Sequence, residues 1–307
     1  MQMSKLLVTG SLAYDRIATF QGHFGEHLLP DKVHQLNVAF NVDRMSIQFG
    51  GTGGNIAYSL ALLGEDPILL GTLGDDYEEY KNQLLKNNIS TDHIKIIEGA
   101  LTANATIMTD LDDNQITAFY TGAMQKAHQA KIEAIEDPIE LAIISPNGIK
   151  AIQEYPEILR QKQIPFIADP GQSIPALSKD DLINLITGAH ILIVNDYEWH
   201  LVTEKTDLTL EEIFKKTNLD HLIVTLGEKG AKIWNKDSNP STPVEIPAHK
   251  PEKIVDPTGC GDAFRAGLMY GIKNQKSIKE SAQIGALLAA KAIEHNGTQN
   301  HDGLQNS

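Results

Sequence analysis

The stretch IVDPTGCGDAFRAGLMYG, residues 254–271, decides how the rest of the chain is interpreted. It follows a short extended run and leads into apolar residues Phe264, Leu268 and Ile272, which recur at the four-residue spacing of one helix face. The letters TGCG therefore lie at the start of a helix. Unpaired N–H groups and the helix dipole favour an anion there, and small residues let a phosphate approach closely. The stretch predicts an anion-binding loop.

Asp262 follows this loop directly and has two interpretations. A carboxylate in the first helical turn stabilises the helix through its free N–H groups and dipole. A carboxylate beside a phosphate site can also accept the proton of an attacking hydroxyl group, as in kinase catalysis. The segment alone leaves both interpretations open. Because the predicted anion loop is adjacent, a role as catalytic base is the hypothesis that we follow for Asp262.

Composition limits the class of protein. With 307 residues, 41% of them hydrophobic, the chain can bury a large core in one large α/β domain or two smaller ones. Its net charge of -14 would repel nucleic acid and anionic membranes, so we expect neither as a partner. Cys260 is the single cysteine, which excludes an intrachain disulfide and a cysteine-built zinc site. Without a long apolar run or a secretory signal pattern, we expect a cytoplasmic protein.

Short apolar runs alternate with helical patterns along most of the chain, which is typical of βαβ units and a mostly parallel sheet. The strand candidates are KLLVTG, PILLGTLG, LAIIS, PFIAD, HILIVN and HLIVTLG. The helix candidates are Asn55–Leu63, Tyr77–Asn87, Ile149–Gln163, Lys179–Thr187 and Leu210–Lys216. Two regions, 17–49 and 102–120, interrupt the alternation with extended segments. They predict a small accessory sheet inserted into one main domain.

Four segments together resemble one known family. DPTGCGD resembles the D-[TP]-x-G-[AC]-G-D signature of the ribokinase-like, or PfkB, family of carbohydrate and nucleoside kinases. FGGTGGNIAYSLALLG at 49–64 is similar to the family's glycine-rich first signature. NDYE at 195–198 matches its N-x-x-E element, and VTLGEKGA at 224–231 matches its nucleotide-binding strand and turn. The segments follow the family's order and span nearly the whole chain, which makes the resemblance far more specific than any one motif.

The resemblance implies an α/β fold: one ribokinase-like three-layer α/β/α domain over residues 1–307, with a mostly parallel central sheet and a small β-sheet lid. The lid would be discontinuous, formed from about 14–50 and 102–121. An exposed lid sheet invites a partner or a cover, so a homodimer through the lid is a further expectation. The family's closure of the lid over its substrate would use the flexibility of the glycines at 50–54.

The resemblance also implies roles in phosphoryl transfer. Asp262 matches the catalytic base, and the backbone N–H groups of Gly259, Cys260 and Gly261 would form the anion hole for the transferring group. Cys260 stands where alanine is commoner, which leaves its backbone N–H available. On the acceptor side, Asp15 matches the acid that holds two sugar hydroxyls. A lone aspartate in this position is otherwise more often a turn residue.

The remaining expected site residues follow from the same matches. Gly51 and Asn55 would complete the sugar site. Independently of the matches, the flat apolar ring of Phe119 would contact a nucleobase, with packing in the lid core as its alternative. The residues expected to bind ATP are Asn195, Thr225, Gly227 and Asn296, with Glu198 holding Mg²⁺ through water. A helix cap at Asn195 with a solvated Glu198 is the alternative for that pair. Asp256 and Thr258 match positions that bind a monovalent cation in some members, so the expected cofactors are ATP, Mg²⁺ and K⁺.

The expected acceptor is a small molecule, a purine nucleoside. ITAFYTGAM at 116–124 and ADPGQ at 168–172 resemble microbial nucleoside kinases, which implies phosphorylation of the 5'-hydroxyl of adenosine, inosine or guanosine. Strand alternation points Phe119 and Tyr120 to opposite faces, so at most one would stack on the base. A ribokinase- or fructokinase-like sugar kinase is the alternative, and a non-catalytic nucleotide-binding member is the third hypothesis. The sequence contains neither a dinucleotide-binding GxGxxG after its first strand nor a P-loop.

Overall fold

The computed structural model describes residues 4–27, 38–112, 114–237, 239 and 241–304. Residues 28–37 and 113 of the predicted lid ranges therefore lie outside the described residues. In chain order, the strands are β1 (Lys5–Thr9), β2 (Ala13–Phe20), β3 (Val42–Gly50), β4 (Ile68–Leu73), β5 (Ile94–Ile96), β6 (Ala103–Thr109), β7 (Gln115–Tyr120), β8 (Ile139–Ile144), β9 (Phe166–Ala168), β10 (Ile191–Asn195), β11 (His221–Thr225), β12 (Ala231–Asn235) and β13 (Val244–Ile246).

The helices alternate with these strands through most of the chain. They are α1 (Phe24–His27), α2 (Thr52–Leu62), α3 (Glu78–Lys86), α4 (Ile149–Gln161), α5 (Lys179–Ile186), α6 (Asp196–Thr206), α7 (Leu210–Thr217), α8 (Cys260–Lys273) and α9 (Ile278–Ala292). The larger sheet has the order β13-β12-β11-β10-β9-β8-β1-β4-β5. Its pairs are parallel except at one edge, where β12 runs antiparallel to β11 and to β13.

Helices cover both faces of the larger sheet. Leu6 and Val8 of β1 pack into one apolar core together with α2, α3, α8 and α9. Leu7, between them, faces the opposite core, formed with α4, α5, α6 and α7. A strand buried on both faces reads as a continuous apolar run, which is why these strands were recognisable in the sequence. The arrangement is the predicted three-layer α/β/α domain with a mostly parallel central sheet.

A second, four-stranded sheet has the order β3-β2-β6-β7, and we call it the lid sheet. β2 pairs with β3 antiparallel and with β6 parallel, and β6 pairs with β7 antiparallel. The mixed pairing follows from the chain path, because β2 and β6 are far apart in sequence and both leave the larger sheet in the same direction. The small accessory sheet expected from the two interrupting regions is therefore present.

Helix α2 begins earlier than its predicted start at Asn55. Gly51 takes the left-handed φ of 87°, which ends β3 and turns the chain into the helix at Thr52. The Ser11 hydroxyl accepts from the N–H of Thr52, and the Ser11 carbonyl accepts from the N–H of Gly53. The first-turn donors are thus satisfied by the loop after β1. Of the glycines at 50–54, only the first two precede the helix.

The carboxyl ends of the parallel strands open at one edge of the larger sheet. In a doubly wound α/β fold, ligands bind at this edge, where neighbouring strand ends and helix starts converge. Across the described part of the chain, none of the helices combines the length and apolarity that a bilayer span requires.

Candidate active site

A cavity of about 1220 Å³ opens at this edge and extends to the lid sheet. It brings together residues from both ends of the sequence and from between them. The sequence-predicted residues that line it are Asp15, Gly51, Asn55, Phe119, Asn195, Glu198, Thr225, Gly227, Thr258, Gly259, Gly261 and Asp262. Three predicted site residues, Asp256, Cys260 and Asn296, stand outside its lining. A single cavity therefore contains residues expected to bind the acceptor and residues expected to bind ATP.

The anion loop takes the conformation that its glycines permit. Gly259 is the N-cap of α8 with a φ of 80°, so the loop turns sharply into the helix start. A side chain at Gly259 would also meet Thr298, whose methyl carbon lies 2.8 Å from the position of a Cβ. Gly261 lines the cavity from the first turn. The N–H of Cys260 lies 3.3 Å from the Pro257 carbonyl oxygen, so this donor is partly engaged within the loop.

Asp262 lies partly buried at the cavity wall, in the first turn of α8. The side-chain amide of Asn55 donates a 2.8 Å hydrogen bond to its Oδ2 atom. Burial raises the pKa of Asp262 to about 6, while the charge of Arg265 and the Asn55 hydrogen bond act in the opposite direction. A carboxylate with a pKa near 6 is ionised at neutral pH, yet is a stronger base than an ordinary aspartate.

The orientation of the Asn55 amide is fixed by its other contacts. Its Oδ1 atom accepts from the Thr298 hydroxyl at 2.8 Å and from the Gln299 amide at 3.1 Å. With the oxygen held on that side, the NH₂ group must face Asp262. Sequence reasoning placed Asn55 in the sugar site and missed the contribution of 298 and 299. The structure shows Asn55 as a direct neighbour of the expected base.

A row of aligned residues crosses the lid sheet and faces the cavity. Asp15 of β2 is opposite Gln48 of β3 and Ala105 of β6, and Ala105 is opposite Phe119 of β7. Residues at one register position share a face of the sheet, and Asp15, Ala105 and Phe119 all line the cavity. Tyr120, next to Phe119, is not in this row. This agrees with the expectation that at most one of the two rings could contact a base.

Asp15 is the carboxylate of this row. Burial, followed by the charge of Asp256, raises the pKa of Asp15 to about 6. Gly50 packs against this carboxylate, and a Cβ at that position would collide with it. A glycine is therefore required here for close approach, at the end of β3 and beside the expected sugar site.

Asn195 and Glu198 form a capping box at the start of α6. The Asn195 Oδ1 atom accepts from the Glu198 backbone at 2.7 Å, and the Glu198 Oε2 atom accepts from the Asn195 backbone at 2.8 Å. The cap interpretation is therefore correct in part, but Glu198 is only partly exposed and both residues line the cavity. Burial raises the pKa of Glu198, and the hydrogen bond from the Asn195 backbone acts in the opposite direction. The same pair caps a helix and faces the site.

Thr225 and Gly227 lie at the neighbouring strand end. Thr225 is the last residue of β11, opposite Asn195 in the parallel pair with β10. Gly227 has a φ of 58° and begins a 3₁₀ turn. A Cβ at Gly227 would have no atom within 4 Å, so glycine is favoured here by its positive φ and not by a close neighbour. The two strand ends and the anion loop thus enclose one side of the cavity.

Asp256 and Asn296 have structural contacts just outside this enclosure. The Asp256 carboxylate accepts from the backbone N–H groups of Thr258 at 2.9 Å and Gly297 at 3.0 Å, which ties the anion loop to the C-terminal segment. The Asn296 side chain accepts from the Gln48 amide at 3.0 Å. Asn296 therefore contacts the lid strand β3.

Arg265 and Asp169 line the same cavity, and sequence reasoning did not assign them. The guanidinium Nη2 atom donates to the Asp169 carboxylate at 2.6 Å, and Ser145 donates to the other Asp169 oxygen at 2.8 Å. A charged residue among the apolar neighbours of α8 was the available signal, since buried charges are rare unless paired. The position of Asp169 directly after β9 was a second signal.

The cavity offers few side-chain groups that could hold Mg²⁺. Among the residues that the structure describes, no three His, Cys, Asp or Glu side chains group into a metal site. Glu198 nevertheless supplies one carboxylate to the cavity. Mg²⁺ is commonly held by one or two carboxylates, waters and substrate phosphates, so this sparse donor set fits it.

Comparisons with known proteins agree with this geometry. Residues 3–303 match the model of the pfkB family carbohydrate kinases. The nucleoside kinase of Burkholderia thailandensis, solved in complex with inosine, is 40% identical with a TM-score of 0.84, over 96% of this chain and 93% of that one. The nucleoside kinase of Methanocaldococcus jannaschii is 28% identical over 301 residues, covering 97% of this chain and 93% of the relative.

A more distant structure shows how general the fold is. The Thermotoga maritima ribokinase is 22% identical and has a TM-score of 0.77 over 97% of this chain and 95% of its own. At this identity the likeness concerns the fold alone, and it confirms the ribokinase-like architecture expected from the motifs. With its family model matched over nearly the full length, the chain belongs to the pfkB family of carbohydrate kinases and is a phosphotransferase with an alcohol group as acceptor.

Proposed function

We propose that this protein is an ATP-dependent kinase that phosphorylates the 5'-hydroxyl group of a purine nucleoside. The supporting observation is the shared cavity, in which Asp15 and Phe119 face Asp262 and the anion loop from the lid side. A carboxylate suits the ribose hydroxyls, and an aromatic ring in the same sheet row suits a flat base. The 40% identical Burkholderia thailandensis kinase was solved with inosine, which favours a purine as the acceptor.

In this mechanism Asp15 holds the ribose hydroxyls, and Asp262 accepts the proton of the attacking 5'-hydroxyl. The new bond forms between that oxygen and the γ-phosphorus, and the bond to the β,γ-bridging oxygen of ATP breaks. N–H groups of the anion loop around Gly259 and Gly261 stabilise the charge on the transferring group. The Asn55 amide holds the Asp262 carboxylate in position during the transfer.

Asn195, Thr225 and Gly227 would bind ATP, and Glu198 would hold Mg²⁺ through water. When bound, Mg²⁺ supplies neutralisation of the phosphate charge. The adenine would lie towards the C-terminal segment that contains Asn296.

K⁺ would act at the loop around Asp256 and Thr258, where it would order the link between the anion loop and residue 297. A rate that is the same in K⁺ and in choline would contradict that role.

The experiment is a coupled assay of ADP release with ATP and Mg²⁺, tested against adenosine, inosine, guanosine, cytidine, ribose and fructose. We expect turnover with purine nucleosides, and loss of turnover in Asp262→Ala. Phosphorylation of inosine at the 5' position can be verified by ³¹P NMR. Turnover with ribose or fructose alone would replace the proposal with a sugar kinase. Nucleotide binding without any turnover would support a non-catalytic member.

We also propose that the lid sheet pairs with a second copy of the chain. Its edge strand β3 carries exposed apolar side chains, with Met45 58% and Ile47 51% exposed. Exposed edge strands with apolar side chains readily pair with another chain. Light scattering during size-exclusion chromatography should give the mass of a dimer, which Met45→Lys with Ile47→Lys should reduce to that of a monomer. A monomeric native chain would contradict this pairing.

A further inference from the structure

Arg265 is a buried cation in α8, and its ion pair with Asp169 leaves part of its hydrogen-bonding capacity unused. It is only 9% exposed, yet it lines the cavity that contains Asp262 and the anion loop. Burial disfavours the charged guanidinium, but the carboxylates of Asp169, Asp262 and Glu198 together outweigh it, so the pKa of Arg265 is raised. The side chain therefore carries a permanent positive charge inside the site.

One carboxylate does not satisfy this side chain. The Nη2 atom donates to Asp169, but the buried Nε atom has no hydrogen-bond partner in the described part of the chain. Buried donors are nearly always paired, and an unpaired one is costly. Asp169 divides its two oxygens between Arg265 and Ser145, so it offers no second, bidentate contact to the guanidinium. The planar guanidinium of Arg265 thus keeps unpaired N–H donors in the cavity that the anion loop lines.

The position of the guanidinium identifies the part of the ligand that it can reach. Arg265 is three residues after Asp262 and four after Gly261, so the three lie on one helix face. Its Nη1 atom would be only 2.8 Å from a Cβ at Gly261. Long helical side chains extend towards the helix N-terminus, which here is the anion loop. The guanidinium therefore lies directly against the loop that would hold the transferring group.

We propose that Arg265 is a catalytic residue that donates hydrogen bonds to the transferring γ-phosphoryl group. Asp169 and Ser145 hold the guanidinium in place, and its remaining donors face the phosphoryl oxygens. Arginine suits this role because its planar fork matches phosphate geometry and its charge persists at every working pH. During transfer, the γ-phosphoryl group passes from the ADP oxygen to the acceptor oxygen, and Arg265 itself gains or loses no proton.

The test compares nucleotides with and without the γ-phosphoryl group. Removing one charge of a buried pair leaves the other uncompensated, whereas removing both is often tolerated. The informative pair is therefore Asp169→Asn and the double variant Arg265→Met with Asp169→Asn. Calorimetry with Mg²⁺ should show that the double variant binds AMP-PNP at least about tenfold more weakly than Asp169→Asn does. ADP affinity should differ between these two variants by less than about threefold.

Two further variants separate a chemical role from a structural one. Arg265→Lys keeps the charge but loses the planar fork, so we expect kcat to fall by about 10²-fold with little change in the acceptor KM. Ser145→Ala loosens only the support of Asp169 and should change kcat less than about fivefold. Equal losses of AMP-PNP and ADP affinity, or an unchanged AMP-PNP affinity, would overturn the proposal. The nucleotide measurements need no acceptor, so their outcome is independent of the purine-nucleoside proposal.

Discussion

At the scale of single residues, the chemistry of this site depends on how burial changes ordinary side chains. Asp262 and Asp15 are separated by most of the chain, and burial raises the pKa of each to about 6. Each must be ionised for its proposed role, one as base and one as hydrogen-bond acceptor for the ribose. The two carboxylates therefore set the acid limit of activity.

The pH dependence of activity follows from these values. We expect kcat/KM to be constant above pH 7 and to fall at least about tenfold per pH unit below pH 5, because protonation removes the base. Initial rates with inosine between pH 4.5 and 9 measure this profile. In Asp15→Asn, kcat/KM should still fall at acid pH, because Asp262 still becomes protonated. A profile that stays flat to pH 4.5 in folded enzyme would be inconsistent with Asp262 as the base.

Close packing at a glycine gives a second prediction at this scale. Gly50→Ala places a Cβ against the Asp15 carboxylate and displaces it. We expect the acceptor KM to rise by about tenfold, equivalent to about 1.4 kcal/mol, while the KM for ATP changes less than about twofold. Steady-state kinetics with both substrates measure the difference.

Gly25→Ala is the matched control for this variant. A Cβ at Gly25, also within the lid region, would have no atom within 4 Å. The control should therefore keep native kinetic constants. If Gly50→Ala raised both KM values equally, its effect would be a general distortion of the fold rather than displacement of Asp15.

At the scale of elements, two helix starts allow structural capping to be separated from function. α6 and α7 each begin with a capping box, formed by Asn195 with Glu198 and by Thr209 with Glu212. Only the first pair lines the cavity. Capping boxes also begin α5 and α9, and of the four among the described helices only the one at α6 lines the cavity.

Alanine substitutions at the two caps should have equal effects on stability and unequal effects on catalysis. Asn195→Ala and Thr209→Ala should each lower the free energy of unfolding by about 1 kcal/mol, because each leaves a helix donor unpaired. Only Asn195→Ala should raise the KM for ATP, by about tenfold. Urea unfolding and steady-state kinetics measure the two quantities. An equal KM in both variants would show that Asn195 serves only as a cap.

At the scale of the whole molecule, the ionised Asp262 carboxylate in the cavity lowers the free energy of unfolding. A carboxyl group with a folded pKa near 6 and an unfolded pKa near 4 binds its proton more tightly in the folded state. Its ionisation therefore destabilises the fold increasingly as pH rises from about 4 to about 6, and by a constant amount above that. The base is kept ionised at neutral pH against this effect.

Asp262→Asn removes that destabilising charge, while the amide oxygen can still accept from Asn55. We expect the variant to be more stable than the native chain at pH 8, by about 1–2 kcal/mol, and equally stable near pH 4. Chemical unfolding at both pH values measures the difference. Equal stability of the two proteins at pH 8 would indicate that the carboxylate is well solvated in the fold.

Local patterns in the sequence were enough to predict a mostly parallel sheet, an accessory sheet and most of the main strands and helices, whereas the order of strands within the sheet was not predicted. Strands buried on both faces are continuous apolar runs, and the loop before α8 shows its glycines and acid directly. Strands β5, β12 and β13, at the two edges of the larger sheet, and helix α9 were not predicted, because their patterns are short or lack a distinctive neighbour. The expected start of α2 was late by three residues, since Ser11, far away in sequence, satisfies its first donors.

The sequence by itself determined the family resemblance, the three-layer fold and the residue types of the expected site, because these depend on local pattern and motif. Only the tertiary structure decided which atoms meet. It turned the Asn55 amide towards Asp262 through contacts with 298 and 299, and it brought Arg265 and Asp169 into the cavity. Such contacts join segments as much as 244 residues apart, and burial, which sets the pKa of both aspartates, is a property of the packed chain.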